Sequence, residues 1–460
     1  EIRRMSLRLV IGSVLCAMLK PSAGFGVSRA AWLHAPGAQR AVLPAVRAPS
    51  SRSWHTPALG VSMMAKGPAA GRSMAMTSYT EEKVADIVAQ LRADDPEKPA
   101  AIVGSKVNLL ALTQDELTAE VLRMGEPKFR AKQLWDWIHV KGMDDFEKME
   151  NLPKGLRTRL VEEATLGTLT IAVELVSKDG TVKRAYRLHD GQIIEAVLMP
   201  YSDGRRTACI SSQAGCAMGC TFCATGQMGF SRQLSSTEIL EQVQKFHNEL
   251  ALKGERLSNV VFMGMGEPLA NYHNVMAAVR RINTEVGIGA RHITISTVGL
   301  VPRMNRLATE GLQIKLAVSL HAANDEDRNK IMPVNTRFPI KELIQSCRDY
   351  VDATGRRVTF EWALIAGQND TPEVAHELGR LLRGLMCHIN LIPLNPTKGY
   401  DGKPTQAAEV QAFVKVLEGY GLTATPRVRR GIDIDAGCGQ LAAANDRSAL
   451  KALGRGDAPM

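Results

Sequence analysis

Cysteine is scarce in this chain, with eight residues among 460. Small secreted domains that depend on disulfide bonds carry cysteine at a much higher density, so the composition excludes a disulfide framework and favours a reducing compartment. Three of the eight cysteines nevertheless fall between residues 216 and 223. In a chain this poor in thiols, such clustering indicates that the three act together.

Long apolar runs are also lacking. Residues 9–19 form an apolar run of only eleven residues, whereas a helix needs about 20 residues to span a bilayer. We therefore expect no membrane partner. The apolar and charged fractions of 45% and 23% are typical of an ordinary globular protein of two or three domains.

Acidic residues are almost absent from the first 80 positions, which hold Glu1 and ten lysines and arginines. This composition is typical of an organelle transit peptide, and the basic residues before the apolar run resemble a signal peptide. We interpret residues 1–77 as a targeting segment and expect a protein of the plastid (chloroplast) stroma, with mitochondrion or cytoplasm as alternatives. A mis-assigned start is the other interpretation, because the first methionine is Met5.

The net charge of +10 is concentrated in that same segment. Residues 1–80 carry +9, which leaves +1 for residues 81–460. A nucleic-acid partner would therefore be held by local basic patches rather than by an overall positive field. The strongest candidate patch lies within residues 127–161, where basic and aromatic residues are interleaved: Lys128, Phe129, Arg130, Lys132, Trp135, Trp137, Lys141, Lys154, Arg157 and Arg159.

Helical periodicity dominates residues 78–165. Residues 80–95 have the pattern of an amphipathic helix, and Thr113 and Glu116 have the spacing of a capping box at the start of another. We predict a helical accessory domain over this range and assign RNA binding to it as a hypothesis.

From residue 166 the spacing of apolar residues changes from a helical period to an alternation of period two. Residues 166–204 alternate around two Asp-Gly turn pairs, which predicts a small antiparallel β meander. Residues 205–445 alternate strand and helix patterns, which predicts an α/β fold with a parallel sheet, either open and doubly wound or curled into a partial barrel. Residues 446–460 form a C-terminal tail. The strand candidates are 207–212, 258–264, 292–297, 314–320, 357–364 and 389–394.

Cys216, Cys220 and Cys223 follow the first of these strands. A structural zinc site needs four ligands, and because no histidine lies between residues 190 and 246, zinc would require a distant fourth ligand. A disulfide would leave one thiol over, and three unrelated core cysteines are a further interpretation. Three thiolates can instead hold a [4Fe-4S] cluster with one open iron. This spacing is typical of radical S-adenosylmethionine (SAM) enzymes, in which SAM binds that iron.

Polar loops follow four more of the strand candidates, at the edge where α/β sheets bind ligands. Gly264 and Gly266 would let the backbone approach a ligand, and Glu267 would accept the amino group of SAM. The predicted cofactor-binding residues are Gly266, Glu267, Ser296, Ser319, Leu320, His321 and Asn395.

The motifs QAGCAMGCTFCATG, GMGEPL, STVG, SLHA, NLIPLNP and RRGIDIDAGCGQL together resemble the RlmN family of dual-specificity rRNA/tRNA adenine-C2 methyltransferases, which is related to the C8-methylating Cfr proteins. The resemblance covers roughly residues 105 to 445. It implies a radical SAM partial (βα)6 barrel, preceded by the helical domain and the meander. One departure is visible: the family usually has alanine where this chain has Gly437.

The resemblance also implies the chemistry. Carbon 2 of adenine has no lone pair to attack a methyl group, so the family methylates a cysteine first and then joins that carbon to the base by a radical step. Two SAM molecules are used per turnover. The matching positions here are Cys438 for the S-methylcysteine intermediate, Cys209 for the resolving thiol that forms a disulfide with it, and Glu195 for the proton acceptor.

The partners implied are 23S rRNA, tRNA at the adenine 3′ of the anticodon, and an electron donor such as ferredoxin or flavodoxin, with a monomeric protein. Arg427, Arg429 and Arg430 precede Cys438 and would hold phosphates beside the base.

Two alternatives stay open: a C8 methyltransferase of the Cfr type, and a non-catalytic Fe-S protein that binds RNA or senses redox state. Cys16, Cys347 and Cys387 receive no role.

Overall fold

The computed structural model describes residues 102–103 and 105–442. The targeting segment, the helix predicted over residues 80–95, Cys16 and the tail at 446–460 lie outside these residues. None of the helices within the described ranges is long and apolar enough to cross a membrane.

The first part of the described chain is mainly helical and has its own core. Its buried residues include Leu117, Leu134, Met149 and Leu160. The predicted capping box is confirmed. The side chain of Thr113 accepts a hydrogen bond from the backbone N–H of Glu116, and the side chain of Glu116 accepts one from the backbone N–H of Thr113. The elements are β1 (Ile102–Val103), β2 (Lys106–Asn108), α1 (Gln114–Arg123), α2 (Phe129–Trp135) with a π-helical extension (Asp136–Val140), α3 (Lys154–Glu163) and β3 (Ala164–Thr165).

The predicted meander is present but does not stand apart. It consists of β4 (Thr170–Val176), β5 (Val182–Arg187) and β6 (Ile193–Pro200), with Gly180 and Gly191 at positive φ in its turns. Strand β6 pairs antiparallel with β7 (Arg206–Cys209). The meander therefore extends one edge of the main sheet, which the alternation pattern alone did not predict.

The main sheet has ten strands in the order β15 (Ala424–Pro426), β14 (Cys387–Pro393), β13 (Val358–Leu364), β12 (Lys315–Ser319), β11 (Ile293–Thr297), β10 (Asn259–Phe262), β7, β6, β5 and β4. Strands β7 and β10 to β15 are parallel and follow one another in chain order. A doubly wound sheet reverses its strand order at a switch point, and no reversal occurs here. The order is the one expected of the predicted partial barrel, and all six predicted strands are confirmed.

The remaining elements alternate along this sheet. They are β8 (Gln213–Gly215), α4 (Ala224–Met228), β9 (Phe230–Gln233), α5 (Ser236–Leu252), β10 (Asn259–Phe262), α6 (Tyr272–Thr284), β11 (Ile293–Thr297), α7 (Val301–Ala308), β12 (Lys315–Ser319), α8 (Asp325–Ile331), α9 (Ile340–Thr354), β13 (Val358–Leu364), α10 (Pro372–Leu382), β14 (Cys387–Pro393), α11 (Ala407–Gly419) and β15 (Ala424–Pro426). The helices and the sheet enclose one large core in which Trp362, Phe246 and Phe262 are fully buried.

Candidate active site

A cavity of about 1050 Å³, open to solvent, lies at the carboxyl ends of the parallel strands. Parallel strands end at the same edge of a sheet, so the loops that follow them meet there. The cavity wall brings together the cysteine loop and the loops after β10, β11, β12 and β14. Of the predicted residues, the wall contains Cys216, Cys220, Cys223, Gly266, Glu267, Ser296, Ser319, His321, Asn395 and Cys438.

The cysteine loop runs from β8 to α4, and glycines shape it. Gly215 has φ 80°, and a Cβ atom placed on it would lie 2.1 Å from the carbonyl oxygen of Gly229, so a side chain cannot be accommodated there. Cys216 and Cys220 are buried, and Cys223 is half-buried. The loop therefore turns its three thiols inward to one cavity.

The three thiols share one cavity, where three thiolates could each bind a separate iron of a cubane cluster. Within the described ranges, no three histidine, cysteine or acidic side chains converge as the ligands of one metal ion would. Burial raises the pKa of Cys216 to about 12. Cluster binding would therefore displace thiol protons.

Glu267 is fully buried beside the cysteine loop, and burial raises the pKa of its carboxyl group to about 7. Its Oε1 accepts a hydrogen bond from the backbone N–H of Leu269 (3.0 Å) and its Oε2 accepts one from Val298 (2.9 Å). A carboxylate has about four lone-pair sites. It can therefore accept bonds from a ligand ammonium while it also joins two loops.

The two glycines before Glu267 line the cavity, as their predicted role requires, and they also allow a close contact within the protein. A Cβ on Gly264 would lie 2.6 Å from the carbonyl oxygen of Ile210, and one on Gly266 would lie 2.5 Å from the Cβ of Gln213. The close approach that requires glycine is therefore to the protein's own segment after β7.

His321 is buried on the loop after β12 and has φ 57°, a left-handed conformation that is uncommon outside glycine. Its Nδ1 accepts a hydrogen bond from the backbone N–H of Ala363 (2.8 Å), which leaves the proton on Nε2. Burial lowers the pKa of His321 to about 3, so it is a neutral donor at the cavity wall. The neighbouring Leu320 does not line the cavity, because its side chain is fully buried in the core.

Two buried oxygen atoms in the wall have unused hydrogen-bonding capacity. Asn395 donates from Nδ2 to the carbonyl oxygen of Cys438 (3.0 Å), but its Oδ1 has no partner among the described residues. Oε2 of Glu361 likewise accepts no hydrogen bond from the described residues, although the guanidinium of Arg427 lies 3.7 Å from it, while its Oε1 accepts a bond from Asn390 (2.9 Å). Buried polar atoms are normally satisfied, so these two oxygens fit a cavity that takes a polar cofactor such as SAM.

Glu361 was not predicted as a site residue. The sequence does contain an indication of its importance. Glu361 is a carboxylate in the middle of the apolar strand β13, and charged residues are rarely buried in such a strand without a function.

A second cavity, of about 680 Å³, adjoins the first. Cys209 and Cys438, separated by some 230 positions in the chain, both line it, and Cys438 and Asn395 line both cavities. The two cysteines are free thiols. Burial raises the pKa of Cys209 to about 12. Cys438 is solvent-accessible where it lines the cavities, and the surrounding cavity walls, with the carboxylate of Glu361, raise its pKa to about 11. Cys438 is therefore a neutral thiol that faces the cluster loop on one side and Cys209 on the other.

Three arginines complete the second cavity: Arg427, Arg429 and Arg430. Arg427 lies 3.7 Å from the carboxylate of Glu361, which belongs to the first cavity. The Cys438 loop is fixed between the two cavities, since the backbone N–H of Ala224 donates to the carbonyl oxygen of Gly439 (2.8 Å). The arrangement offers a positive entrance next to two thiols.

Glu195 lines neither of these cavities. It is buried on β6 with the ammonium of Lys183 3.6 Å from its Oε1, and burial raises its pKa. Val197, two residues further along β6, pairs with Cys209 on β7. Because alternate residues share a face of a strand, Glu195 lies on the same face of the sheet as Cys209.

The basic patch within residues 127–161 is partly neutralised by the protein itself. At least four of its cations have internal partners: Lys132 with Asp136, Arg159 with Glu163, and Arg130 and Arg157 with backbone carbonyls. Phe129 is 56% exposed, and the ammonium of Lys141 lies 3.5 Å from the ring centre of Trp137. The patch therefore keeps an aromatic and cationic face, with less free charge than its composition indicates.

Comparisons with known proteins agree with this geometry. A model of the ribosomal RNA large subunit methyltransferase N-terminal domain matches residues 107–166, and the radical SAM superfamily model matches residues 210–378. Dual-specificity RNA methyltransferase RlmN 1 of Myxococcus xanthus is 49% identical over 352 residues, covering 76% of this chain and 98% of that protein.

Two further relatives match over a similar range. A probable dual-specificity RNA methyltransferase RlmN of Moorella thermoacetica is 49% identical over 344 residues, covering 73% of this chain and 97% of that protein. The crystal structure of a radical SAM methyltransferase from Sphaerobacter thermophilus aligns with a TM-score of 0.70 at 48% identity, covering 73% of this chain and 99% of that one.

Proposed function

Because the chain belongs to the RlmN family of radical SAM dual-specificity RNA methyltransferases, we propose that it methylates carbon 2 of an adenine in 23S rRNA and of the adenine 3′ of the anticodon in tRNA. The observation that carries this proposal is the position of Cys438, which lines both the cavity of the cysteine loop and the cavity of Cys209. A passive RNA-binding protein has no use for such a pair of thiols, and a redox sensor has no use for that pair together with the carboxylate of Glu195.

The family uses a [4Fe-4S] cluster and SAM, and the first cavity fits both. Cys216, Cys220 and Cys223 would hold the cluster, while Glu267 and Asn395 would bind SAM together with the serines at 296 and 319. When bound, these groups supply a methyl group and a carbon-centred radical. The protein contributes the orientation of the loops and the exclusion of water from the cavity.

Cys438 would carry the methyl carbon and deliver it to the base. Carbon 2 of adenine is an electron-poor sp² carbon, so it accepts a radical but does not attack an ordinary methyl donor. The sulfur of Cys438 would then stay joined to the base through that carbon. Attack by the Cys209 thiolate on the sulfur of Cys438 would form a disulfide and break the sulfur–carbon bond. The carbon would leave with the electron pair of that bond and take up a proton, which completes the methyl group and releases the base.

Glu195 would take the proton that leaves carbon 2. A general base is most effective when its pKa approaches the working pH, and burial raises the pKa of Glu195 from its usual value. Its place on the same face of the sheet as Cys209 supports this role. Approach of Glu195 to the base requires a local movement, because it does not line either cavity.

The target adenine would enter through the second cavity. The three arginines at its rim suit the phosphates on either side of the base, and the base must leave its stack at a cost of a few kcal/mol. The helical part before residue 165 would add contacts through Phe129 and Lys141. We further propose a monomer that receives electrons from a ferredoxin or flavodoxin.

Analysis of modified nucleosides tests the reaction directly. Unmodified 23S rRNA and tRNA are treated with anaerobically reconstituted enzyme, SAM and a reductant, and then digested for mass spectrometry. We expect 2-methyladenosine in both RNAs. A product methylated at carbon 8 would assign the chain to Cfr-type chemistry, and the absence of any methylated adenine would support the non-catalytic alternative.

Plastid import is a separate part of the proposal, supported by the acid-poor composition of residues 1–77. Import into isolated plastids, followed by sequencing of the mature amino terminus, would be expected to show loss of most of this segment. Retention of residues 5–75 in the mature protein would contradict it.

A further inference from the structure

Arg328, on α8, is a charged residue with no solvent exposure (0%). Arginine is almost never fully buried unless it is paired with an acid. Here the guanidinium donates to the carbonyl oxygens of Leu320 (3.0 Å), Val298 (2.7 Å) and Ser319 (3.0 Å), and to the Oδ1 of Asn335 (2.8 Å). All four acceptors are neutral. No carboxylate of the described residues lies within ion-pair distance of the guanidinium. Asp325 interacts with it at longer range, through Asn335, whose Nδ2 donates to the Oδ1 of Asp325 (2.9 Å).

This arrangement satisfies the hydrogen bonds of Arg328 but not its charge. An uncompensated buried ion costs several kcal/mol, and hydrogen bonds to neutral groups offset only part of that cost. A neutral side chain with two or three donors would hold the same carbonyls at a lower cost. Asp325 offsets part of that cost at a distance, but no anion is in direct contact with the charge, so the site suits a further negative group nearby.

The position of α8 indicates where that anion binds. The backbone N–H of Thr221, in the cysteine loop, donates to the carbonyl oxygen of Ile331 at the end of α8 (3.1 Å). Cys220 packs against Ile331 and Met332. Arg328 therefore lies directly behind the loop that holds the cluster.

A [4Fe-4S] cluster with three cysteine thiolates carries a net negative charge, which increases by one unit on reduction. Reduction potentials of such clusters depend on nearby charge and hydrogen bonds. A fixed cation in a low-dielectric site interacts with that charge far more strongly than a surface cation does.

We propose that Arg328 is the buried counter-charge of the iron–sulfur cluster and that it raises the cluster's reduction potential. It also acts as a positioning residue, because its four bonds join the loops after β11 and β12, which carry Ser319 and His321. The inference concerns the cluster and is independent of which RNA atom is methylated.

The test is an EPR-monitored redox titration of the full-length protein after anaerobic reconstitution. Arg328→Gln and Arg328→Lys both lose the planar four-bond arrangement, but only the lysine variant keeps the charge. We expect the midpoint potential to become clearly more negative in Arg328→Gln and to stay close to wild type in Arg328→Lys. Equal potentials in the two variants, or an unchanged potential in Arg328→Gln, would overturn the proposal.

A second variant leaves Arg328 in place and covers the case in which its replacement prevents folding. Asp325→Asn removes the carboxylate that interacts with the guanidinium, while its side-chain oxygen can still accept the backbone bond from Ile340. It should raise the potential, opposite to Arg328→Gln. Arg337→Gln, an exposed arginine on the same segment, is the control and should leave the potential unchanged, because solvent screens its charge. An Asp325→Asn protein with the wild-type or a lower potential would contradict the role of the charge.

Discussion

At the scale of single residues, the proposed reaction would use two thiols that are neutral in the resting protein. Cys438 lines both cavities and Cys209 lines the second. Burial raises the pKa of Cys209, and the cavity walls raise that of the solvent-accessible Cys438. Arg427 lies near the two thiols and opposes both rises. Because a neutral thiol is a poor nucleophile, each proposed step would need a local change of environment.

Replacement of the two cysteines should produce different failures. Cys438→Ala removes the carrier of the methyl carbon, so we expect no methylated RNA and no RNA attached to protein. Cys209→Ala keeps the carrier but cannot break the final bond, so an RNA-linked protein band should accumulate and disappear on nuclease treatment. Denaturing gels of anaerobic reactions measure both outcomes.

Cys387→Ala serves as the control for that pair, because Cys387 is a half-buried cysteine that lines neither cavity. It should retain near wild-type activity. Inactivity without any adduct in both Cys209→Ala and Cys438→Ala would reduce Cys209 to a packing residue of β7.

Glu267 should give the folded protein a pH dependence of its own. Burial raises its pKa from 4.5 to about 7, so the folded protein holds a proton that the unfolded chain has already lost. The free energy of unfolding should therefore fall as the pH rises from 4.5 to 7, by about 3 kcal/mol for a shift of this size. Urea unfolding of the cluster-free protein at several pH values measures it.

Glu267→Gln should abolish this contribution, since the amide does not titrate. It should also lower stability by a constant amount, about 1–3 kcal/mol, because one of the two backbone N–H groups loses its acceptor. Glu326→Gln, at an exposed position on α8, is the matched control. Identical pH slopes for wild type and Glu267→Gln would refute the assignment.

At the scale of elements, periodicity predicted the structure wherever the pattern was long. The six parallel strands and the capped helix α1 have strong alternation or capping signals, and all are present. The hairpin of β8 and β9 and the edge strand β15 were not predicted. They have three or four residues each, which is too short for a period to show, and contacts far along the chain determine their pairing.

A substitution in the cysteine loop tests how strongly a single glycine determines the conformation of a short segment. In Gly215→Ala the new Cβ would meet the backbone oxygen of Gly229 at 2.1 Å, and a backbone atom cannot move aside as a side chain can. We expect the loop to be displaced and the iron content after reconstitution to fall several-fold. Iron and sulfide assays with absorption spectra measure the loss.

Gly219→Ala separates this clash from simple backbone strain. Gly219 also has a positive φ, 67°, but the nearest atom to its new Cβ would be 3.8 Å away, in Pro333. It should cost only about 1–2 kcal/mol and still bind the cluster. Equal loss of iron from both variants would show that φ alone, and not the contact with Gly229, limits the loop.

At the scale of the whole molecule, the sequence predicted the chemistry of the site better than it predicted the contacts that form when helices and strands pack. The cysteine spacing and the polar loops predicted which residues meet in one cavity, since parallel strands bring their ends together. Arg328 and Glu361 were missed because their significance depends on burial, which arises only when α8 and β13 pack. The composition of the helical patch also indicates more unpaired charge than the folded patch has, because ion pairs such as Lys132 with Asp136 form only on folding.

The salt dependence of RNA binding shows which basic surface contacts the substrate. Arg429 lines the second cavity, is exposed, and has no ion-pair partner within the described chain, whereas Lys132 is paired with Asp136. Each phosphate contact adds about one unit to the slope of log K against log salt. Arg429→Gln should therefore lower the slope for tRNA by about one, and Lys132→Gln should change it little. Fluorescence anisotropy with labelled tRNA from about 50 to 200 mM KCl measures both slopes. The reverse result, a smaller slope in Lys132→Gln alone, would move the principal RNA contact from the second cavity to the helical surface.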